Sequence, residues 1–519
     1  MDAQIQQLMR RVPSVDAVLK EPSLEALAAE HGRKPVADAV REAVEEIRRQ
    51  LLAQSAWRGL PALALRAEGV PPSNRGHELA PAQAGDARDT QGQDGLATDE
   101  AAIRGRIVAA ATSRFEAAMK PYYQRAVNAT GIILHTGLGR AVLSAKALDQ
   151  IQQTLQSYSL LQVDRQTGKR SRRDERIEWL LQRLTGAEAA TVVNNNAAAT
   201  AIVLNSVARG KEVIVSRGQL VEIGGSFRLP DVMAFSGAKL VEVGTTNKTH
   251  PRDYENAITE NTAAILRVHP SNYKIQGFSS EVPLEELAAI AHKHNLVMID
   301  DVGAGALIDF SQFGFEPEPM LADSIRLGAD IITCSADKLI GASQGGLILG
   351  KKALIDAVRK NQFARIVRVG KLTLAVLEAT LKLFLDESVA LREVPTLQML
   401  RRSEESIREH AERLAAQLQG GSVAATVTTT SGFSEMGSGS LPAQNLATTL
   451  VAIAPQKIGV DVLAQRLRLH EPPVLARIQN EQVLLDPRTL REGDDEIVIE
   501  AVATALAGSE RQADEQRTS

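Results

Sequence analysis

A lysine, a carboxylate pair and an asparagine triplet, each placed after an apolar run, have side chains suited to one kind of chemistry. Lys338 follows the run IITC on a turn rich in glycine and serine, and its primary amine can form a Schiff base with an aldehyde. Asp300 and Asp301 follow the run VMI, where a carboxylate can hold a protonated ring nitrogen. The triplet 194–196 begins an alanine-rich helix, whose first backbone N–H groups can bind a phosphate.

The order of these three features predicts a site for pyridoxal 5′-phosphate (PLP). A phosphate-binding helix start, then an acidic strand end, then a lysine ~35–40 residues later is the arrangement of PLP fold type I, the aspartate-aminotransferase fold. We expect Asp301 to pair with the ring nitrogen, because it immediately precedes a Val-Gly pair, whereas Asp300 could face the other side of the strand. Ser335, three residues before Lys338, could add a hydroxyl to the phosphate site.

Each feature by itself also has an ordinary structural explanation. An Asp-Gly turn is usually only a turn, and a lysine in a loop is usually a solvated cation. Asn194, Asn195 and Asn196, which we expect to bind the cofactor, could equally cap the helix that they begin. The prediction therefore depends on all three features meeting at the carboxyl edge of one parallel sheet, where such sheets bind their ligands.

Short β-branched runs alternate with helical segments from about 125 to 350, which is typical of an α/β fold. Buried strands separated by crossover helices predict a mostly parallel, seven-stranded sheet with helices on both faces. The seven runs are Ala190–Val193, Glu212–Val215, Lys239–Val243, Ala264–Val268, Leu296–Ile299, Ile331–Cys334 and Gly346–Leu349.

The composition along the chain predicts six segments. Val36, Val40, Val44, Ile47 and Leu51 recur at helical spacing and indicate a helical N-terminal unit. The stretch after it is rich in Gly, Pro, Ala, Asp and Gln, as flexible linkers are. The predicted segments are a helical N-terminal domain 1–66, a flexible linker or insertion 67–100, a linker helix 101–124, a large PLP-binding α/β domain 125–384, a small C-terminal α+β domain 385–508 and a disordered tail 509–519.

The overall composition excludes several classes of protein. A chain of 519 residues is too long for one core and predicts two or three domains. The net charge of -4 excludes a bulk polycation, so any contact with nucleic acid must come from local basic patches. Cys334 is the only cysteine, which excludes an intrachain disulfide and a cysteine-based metal site, and we expect no metal. We expect a cytoplasmic protein without a membrane span, since no apolar run reaches ~20 residues and the N-terminus lacks the apolar core of a signal peptide.

Six longer motifs resemble bacterial selenocysteine synthase, the L-seryl-tRNA(Sec) selenium transferase family. The likeness extends nearly from end to end, from VPSVDAVLK near the start to PPVLARI near the end. The main departure is 68–100, because the family usually has a shorter connection there. The motifs are RAVNATGIILHTGLGRAVLS (125–144), TVVNNNAAAT (191–200), SRGQLVEIGGSFRLPDVM (216–233), VGTTNKTHPRDY (243–254), HPSNYKIQGF (269–278) and SADKLIGASQGG (335–346).

The resemblance implies a PLP-dependent transferase of selenocysteine biosynthesis. Such an enzyme converts L-seryl-tRNA(Sec) to L-selenocysteinyl-tRNA(Sec) with selenophosphate, by β-elimination through a dehydroalanyl-tRNA intermediate followed by selenium addition. It further implies that Lys338 removes the α-proton as a general base while Asp301 holds the cofactor ring. Two alternatives stay open: a PLP-dependent lyase acting on a small amino acid or amino sugar, and a tRNA-binding relative without catalysis.

The resemblance also assigns three arginines to the selenium donor. Selenophosphate is a small anion, and a planar guanidinium can bind an oxyanion through two hydrogen bonds. Arg140, Arg365 and Arg368 match the family's positions for this anion. The i, i+3 spacing of the last two places them on one face if the segment is helical. The alternative is a pair of surface arginines.

Two kinds of macromolecular contact are implied by the resemblance. Residues 1–66 resemble the family's tRNA-binding domain, and tRNA(Sec) charged with serine is the implied partner. Four residues match positions that the family uses at contacts between dimers of a ring-shaped decamer, although their local sequence suits turn and capping chemistry equally well. They are Thr245, Thr246, Asp253 and Tyr273.

Several charged residues have no assigned role. His135, Arg217, Glu222 and Arg228 lie in motifs near the expected site, and only proximity to the cofactor can be predicted for them. The one dense basic run could hold the tRNA backbone, or it could form an exposed loop without a ligand. It consists of Arg165, Lys169, Arg170, Arg172 and Arg173.

Overall fold

This computed structural model has two units, Met1–Gln124 and Arg125–Ser519. Apolar residues spaced by three and four positions account for the helices of the first unit. The structure describes residues 9–57, 99–224, 227–421, 424–441 and 444–517. Apart from its last two residues, the predicted insertion 67–100 lies outside the described residues.

The described helices of the first unit share one apolar core. The predicted helical face from Val36 to Leu51 is buried. Ile103, Ile107 and Phe115 are buried in the same cluster. The segment 101–124, expected as a linker helix, thus supplies one wall of this core. The helices are α1 Val15–Val18, α2 Pro22–His31, α3 Arg33–Trp57 and α4 Glu100–Met119.

The second unit alternates strands and helices along most of its length. Its strands are β1 Val127–Asn128, β2 Ala189–Val193, β3 Glu212–Ser216, β4 Glu222–Ile223, β5 Phe227–Arg228, β6 Lys239–Val243, β7 Thr262–Val268, β8 Val297–Gly303, β9 Ile331–Ser335, β10 Gly346–Gly350, β11 Ala425–Glu435, β12 Asn445–Pro455, β13 Val474–Leu475, β14 Arg477–Gln479 and β15 Gln482–Leu485. Its α-helices are α5 Ala145–Leu155, α6 Glu175–Thr185, α7 Asn196–Ala208, α8 Leu229–Ser236, α9 Pro251–Ala257, α10 Leu284–Lys293, α11 Leu321–Arg326, α12 Lys352–Lys360, α13 Phe363–Ile366, α14 Lys371–Leu383, α15 Glu387–Glu393, α16 Pro395–Arg401, α17 Glu404–Gly420, α18 Val460–Leu469 and α19 Asp494–Arg517.

The large sheet has seven strands in the order β2-β10-β9-β8-β7-β3-β6. β10 is antiparallel to both of its neighbours, and the other six strands share one direction. All seven predicted runs are strands of this sheet, so the α/β class and the mostly parallel seven-stranded sheet are confirmed. Val213 and Val215 of β3 pack into the core on one face and Ile214 into the core on the other. Both faces are therefore covered, as in other parallel sheets.

A second, antiparallel sheet with the order β11-β12-β15-β14 forms the C-terminal α+β part. Its core includes Leu414, Val451 and Leu463, from a helix, a strand and a second helix. β1, at the start of the unit, pairs in parallel with β13. The first residues after 125 therefore belong with the C-terminal strands in space, although the chain then enters the large sheet.

Two expected boundaries in the second unit differ from the packing. Leu397 and Leu400 lie in the core beneath the large sheet, so this core extends beyond the expected boundary at 384. The last helix runs to Arg517, into the segment 509–519 that was expected to be a disordered tail. Within the described ranges, no helix combines the length and the apolar character needed to cross a bilayer.

Gly346, the first residue of β10, lets this strand lie directly against the start of α7. A Cβ atom at 346 would lie 2.1 Å from the carbonyl oxygen of Asn195. The neighbouring Gly345 has room, since a Cβ atom there would meet Val192 Cγ2 at 3.5 Å. Close contact between β10 and α7 thus fixes the position of the asparagine triplet relative to the sheet.

We expect Gly346→Ala to lower the free energy of unfolding by about 1–3 kcal/mol, because the added methyl group forces β10 away from Asn195. Gly345→Ala is the matched control and should change stability by less than about 0.5 kcal/mol. Urea unfolding followed by circular dichroism measures both. Equal midpoints for the two variants would show that this contact does not constrain the fold.

Candidate active site

The three predicted features meet at the carboxyl edge of the large sheet. α7 begins just after β2, Asp301 lies near the end of β8, and Lys338 follows β9. The Asn196 amide Nδ2 donates to Asp301 Oδ1 at 2.7 Å. The charge of Asp301 also acts on the amine of Lys338. The tertiary structure therefore brings together residues that are far apart in the sequence, as the strand-end rule predicts.

Asp301 is a buried carboxylate held by the first two turns of α7. Besides the Asn196 bond, the Thr200 hydroxyl donates to Asp301 Oδ2 at 2.9 Å. Burial raises the pKa of Asp301, while the hydrogen bonds from Asn196 and Thr200 act in the opposite direction. A cation placed against this carboxylate would stabilise its charged form, which is the role expected for a partner of a protonated ring nitrogen.

Asp300 faces the opposite side of the strand, as expected. Arg267 Nη1 donates to Asp300 Oδ1 at 2.9 Å, and Ser324 Oγ donates to Asp300 Oδ2 at 2.7 Å. Asp300 is fully buried in this network. Its role is therefore structural, and the choice of Asp301 as the cofactor carboxylate agrees with the geometry.

Lys338 is a buried amine with a depressed pKa. Only 6% of its surface is exposed, and Nζ donates a long hydrogen bond of 3.5 Å to the carbonyl oxygen of Gly439. Burial lowers the pKa of Lys338, and the positive charge of Arg140 lowers it further, against the opposing charges of Asp337 and Asp301. A larger fraction of this amine is neutral, and hence nucleophilic, than for a solvated lysine at the same pH.

Arg140 reaches the site through an ion pair with the neighbour of the lysine. Its Nη1 atom donates to Asp337 Oδ2 at 2.6 Å. The residue has a φ of 64°, in the left-handed region, at the end of the TGLGR loop. The loop thus presents a guanidinium beside Lys338, where an anion could also be bound.

The asparagine triplet has three different roles. Asn195 caps α7, with Oδ1 accepting from the backbone N of Ala198 at 2.9 Å. Asn196 bonds Asp301, and the side chain of Asn194 is exposed. The expected binding of the cofactor by Asn194, Asn195 and Asn196 stays a prediction, with the backbone N–H groups at the start of α7 as the donors expected for a phosphate.

The donor set fits PLP. Lys338 would carry the cofactor, Asp301 would hold the ring nitrogen, and the start of α7 with Ser335 would face the phosphate. Asn196 Oδ1 is buried and accepts no hydrogen bond within the described part of the chain, so this wall of the site has an unused acceptor. Among the described residues, no group of three or more His, Cys, Asp or Glu is arranged to hold a metal ion.

Arg365 and Arg368 lie near the helix start but not on one helical face. α13 ends at Ile366, and Arg368 forms a β-bridge with Val193, so the expected i, i+3 helical arrangement is wrong. Both side chains are exposed, and in the described ranges neither forms an ion pair. Burial, then the charges of Arg368 and Arg365, lower the pKa of Arg173, which places the three guanidinium groups near one another.

Two family models match the chain. The model described as L-seryl-tRNA selenium transferase matches residues 126–491, and the one described as Selenocysteine synthase N terminal matches residues 9–48. The chain belongs to the L-seryl-tRNA selenium transferase family. The resemblance drawn from the six motifs is thereby confirmed.

Individual relatives cover most of the chain. The L-seryl-tRNA(Sec) selenium transferase of Clostridium botulinum (strain Okra / Type B1) is 38% identical over 494 residues, which are 95% of this chain and 98% of that protein. The Desulfomicrobium baculatum protein of the same name is 46% identical over 415 residues, 80% of this chain and 89% of that protein. A solved structure of D-glucosaminate-6-phosphate ammonia-lyase, at 20% identity, has a TM-score of 0.53 and covers 75% of this chain and 99% of its own. It shows a shared fold, and the predicted PLP fold type I is confirmed.

The residues assigned to contacts between dimers have partners within their own chain. Asp253 Oδ2 accepts from the backbone N of His250 at 2.9 Å and caps α9, and Thr245 Oγ1 donates to the carbonyl of Lys248 at 3.0 Å. The hydroxyl of Tyr273 donates to the carbonyl of Gly218. Turn and capping chemistry is thus present, and the oligomer contacts at Thr245, Thr246, Asp253 and Tyr273 stay a prediction.

The residues without an assigned role are mostly paired. Arg228 Nε lies 2.9 Å from Glu222 Oε2, and Arg217 Nε donates to Glu242 Oε2 at 3.1 Å, all on exposed side chains. His135 Nδ1 is buried without a hydrogen-bond partner among the described residues. These contacts give no direct link to Lys338, so proximity to the cofactor stays a prediction for all four residues named from the sequence.

The basic run divides into structural and exposed cations. Arg172 pairs with Glu178, and Arg173 Nη1 donates to the carbonyl of Val369 at 3.0 Å. The remaining members of the run are exposed on a hairpin loop that a bridge between Val163 and Arg170 closes. They are Arg165, Lys169 and Arg170.

Three contributors to the site were missed from the sequence. Thr200 could have been found, because it stands four residues after Asn196 and so faces the same way on a helix. Asp337 directly precedes Lys338, but its link to the distant Arg140 has no local signal. Gly439 contributes only a backbone carbonyl, and it lies 101 residues after Lys338 in the sequence. No side-chain pattern could have revealed it.

We expect Lys338 of PLP-free protein to react as a neutral amine at lower pH than a free lysine, whose pKa is about 10.4. Arg140→Met should shift this titration to higher pH, since it removes a cation and leaves Asp337 uncompensated. Competitive acetylation across a pH series, read by mass spectrometry, measures the midpoint. Arg326→Met on the exposed surface of α11 is the control, and an unshifted midpoint in Arg140→Met would refute the electrostatic role of Arg140.

Proposed function

We propose that this protein converts L-seryl-tRNA(Sec) to L-selenocysteinyl-tRNA(Sec) with selenophosphate as the selenium donor and PLP as cofactor. The observation that carries the proposal is a buried lysine of depressed pKa beside a buried, hydrogen-bonded carboxylate, in a chain of this family. Relatives that carry the name of that activity align with 95% and 80% of the chain.

Lys338 has the properties of the base that the reaction needs. Bound PLP supplies an electron sink that makes the α-proton of the attached serine acidic and lets the β-hydroxyl leave. A neutral amine can accept that proton, and burial together with Arg140 favours the neutral form of Lys338. Asn196 and Thr200 fix the orientation of the Asp301 carboxylate, and a protonated ring nitrogen placed against it would stabilise its charged form.

The selenium donor is a small anion, and the arginines support its binding. Arg140 stands beside Lys338 through Asp337, and Arg365 and Arg368 are exposed guanidinium groups near the start of α7. Arg365 and Arg368 form no ion pair with any described residue, so each guanidinium group can bind an oxyanion with two hydrogen bonds. We assign these three residues to selenophosphate.

The first unit is the proposed site for tRNA. The Selenocysteine synthase N terminal model matches residues 9–48 within it. α3 carries Arg41, Arg48 and Arg49 among glutamates, so recognition would depend on RNA shape and a few cations and not on bulk charge. We further propose a cytoplasmic homo-oligomer, a decamer built of dimers, with Thr245, Thr246, Asp253 and Tyr273 at the contacts between dimers.

We expect Lys338→Ala to lower selenium transfer by at least about 100-fold, because the general base is removed. The measurement is selenophosphate-dependent conversion of seryl-tRNA(Sec), run beside free serine. In the unchanged protein borohydride should attach the cofactor to Lys338, detected by peptide mass spectrometry. Lys211→Ala, exposed at the opposite edge of the sheet, is the control. Conversion of free serine alone would favour the alternative of a PLP-dependent lyase.

Deletion of residues 1–124 should remove the preference for tRNA-bound serine while PLP binding persists. The whole unit must be deleted, because removing 1–66 alone would expose Ile103, Ile107 and Phe115 of α4. The ratio of kcat/KM for seryl-tRNA(Sec) against free serine measures the preference, and the PLP absorbance band confirms that the second unit is folded. An unchanged ratio would show that the first unit does not recognise tRNA.

A further inference from the structure

A polar cavity of about 340 Å³ opens at the carboxyl ends of β3, β6 and β7, next to the site described above. This volume is within the range of small-ligand pockets, roughly 300–1,000 Å³. Hydroxyl, amide and charged groups line it, including Ser216, Thr246, His269, Tyr273 and Glu318. The residues identified for PLP do not line it, so it is a neighbouring subsite along the same sheet edge.

The cavity adjoins Lys338 through two of its lining residues. The backbone N of His269 donates to the carbonyl of Asp301 at 2.9 Å, which ties one wall of the cavity to the end of β8. Glu318 is one of the carboxylates whose charge raises the pKa of Lys338, against the larger effect of burial. A group attached to a substrate at Lys338 could therefore extend into this cavity.

Glu318 is an unusual residue of the cavity wall, because its carboxylate is buried but its hydrogen-bonding capacity is not filled by the described residues. Its side chain is 4% exposed, and His269 Nε2 lies 3.4 Å from Oε1. Oε1 nevertheless accepts no hydrogen bond from any described residue. A buried acceptor without a donor is costly, and such atoms usually have a partner when a site is complete. The cavity therefore presents a strong acceptor for a hydroxyl of a ligand.

We propose that this cavity receives the 3′-terminal adenosine of the aminoacylated RNA, with Glu318 accepting a hydrogen bond from the free ribose hydroxyl. The inference rests on the proposed function. In an aminoacyl-tRNA the amino acid is an ester of one terminal ribose hydroxyl, so the ribose lies within a few bonds of the serine. When the serine is at Lys338, the adjacent space must hold that ribose and its base.

A further lining residue matches another part of this nucleotide. Lys248 is exposed at the cavity and has no side-chain partner in the described ranges, so it is free to meet the backbone phosphate before the terminal nucleoside. The cavity thus offers an acceptor for the ribose hydroxyl and a cation for the phosphate.

The test compares two trinucleotides that differ in one hydroxyl. The probes are 5′-fluorescein CCA and the same sequence ending in 2′-deoxyadenosine, titrated with the full-length PLP-bound protein by fluorescence anisotropy. We expect CCA to bind at least about tenfold more tightly, as a hydrogen bond to a charged group allows. Glu318→Gln should reduce this preference to less than about threefold. Glu285→Gln, on the exposed first turn of α10, should retain the full preference.

An undiminished preference in Glu318→Gln, or no measurable binding of CCA, would overturn the proposal. Lys248→Ala provides a second reading: weaker CCA binding supports the cavity, whereas unchanged CCA binding removes the phosphate contact from the proposal. Selenium transfer to seryl-tRNA(Sec) is measured in parallel with the unchanged protein. If selenium transfer occurs but the CCA probes do not bind as expected, the adenosine subsite alone is refuted. If no selenium transfer occurs, the proposed function is refuted.

Discussion

The hydrogen bonds between a buried carboxylate and the first two turns of a helix are the interaction on which the rest of the site depends. Asn196 and Thr200, one helical turn apart, hold both oxygens of Asp301. This fixes the start of α7 against the end of β8, and β10 fixes it against the sheet through the close approach at Gly346. The positions proposed for the phosphate and for the ring nitrogen are therefore both set by this junction. A fixed distance between these positions is what an aromatic phosphate such as PLP requires.

The electrostatic balance around Lys338 follows from burial. A buried amine loses hydration, which favours its neutral form, and Arg140 adds to this effect. Asp337 pairs with Arg140 directly, so the charge that acts on the lysine depends on how tightly this pair is kept. An anion bound at Arg140 would compete with Asp337 for the guanidinium. If selenophosphate binds at Arg140 as proposed, its binding and the basicity of Lys338 are coupled through this ion pair.

The division of the chain into sheets also contributes to the site. The C-terminal part supplies the carbonyl of Gly439 to Lys338, and its β13 pairs with β1 at the start of the second unit. The loop containing Arg140 follows β1 closely in sequence. The C-terminal part therefore positions both the Gly439 carbonyl and, through the pairing of β13 with β1, the start of the segment that leads to the arginine loop. We expect changes in the packing of the C-terminal part to alter the surroundings of Lys338 without any substitution in the large sheet.

The sequence by itself determined the seven strands, the carboxyl-edge placement of Lys338 and Asp301, and the family, because apolar runs and strand-end polar residues are local signals. The expected difference in facing between Asp300 and Asp301 is present, since alternate residues of a strand point to opposite faces, and the cofactor role of Asp301 stays a prediction. Only the tertiary structure decided that Asn196 serves Asp301, that Asn195 is a cap, and that Arg368 leaves the helix for a bridge with Val193. It alone revealed the pair of Arg140 with Asp337 and the unsatisfied oxygen of Glu318. These contacts join residues far apart in the chain, and no local periodicity encodes which distant side chain fills a given hydrogen bond.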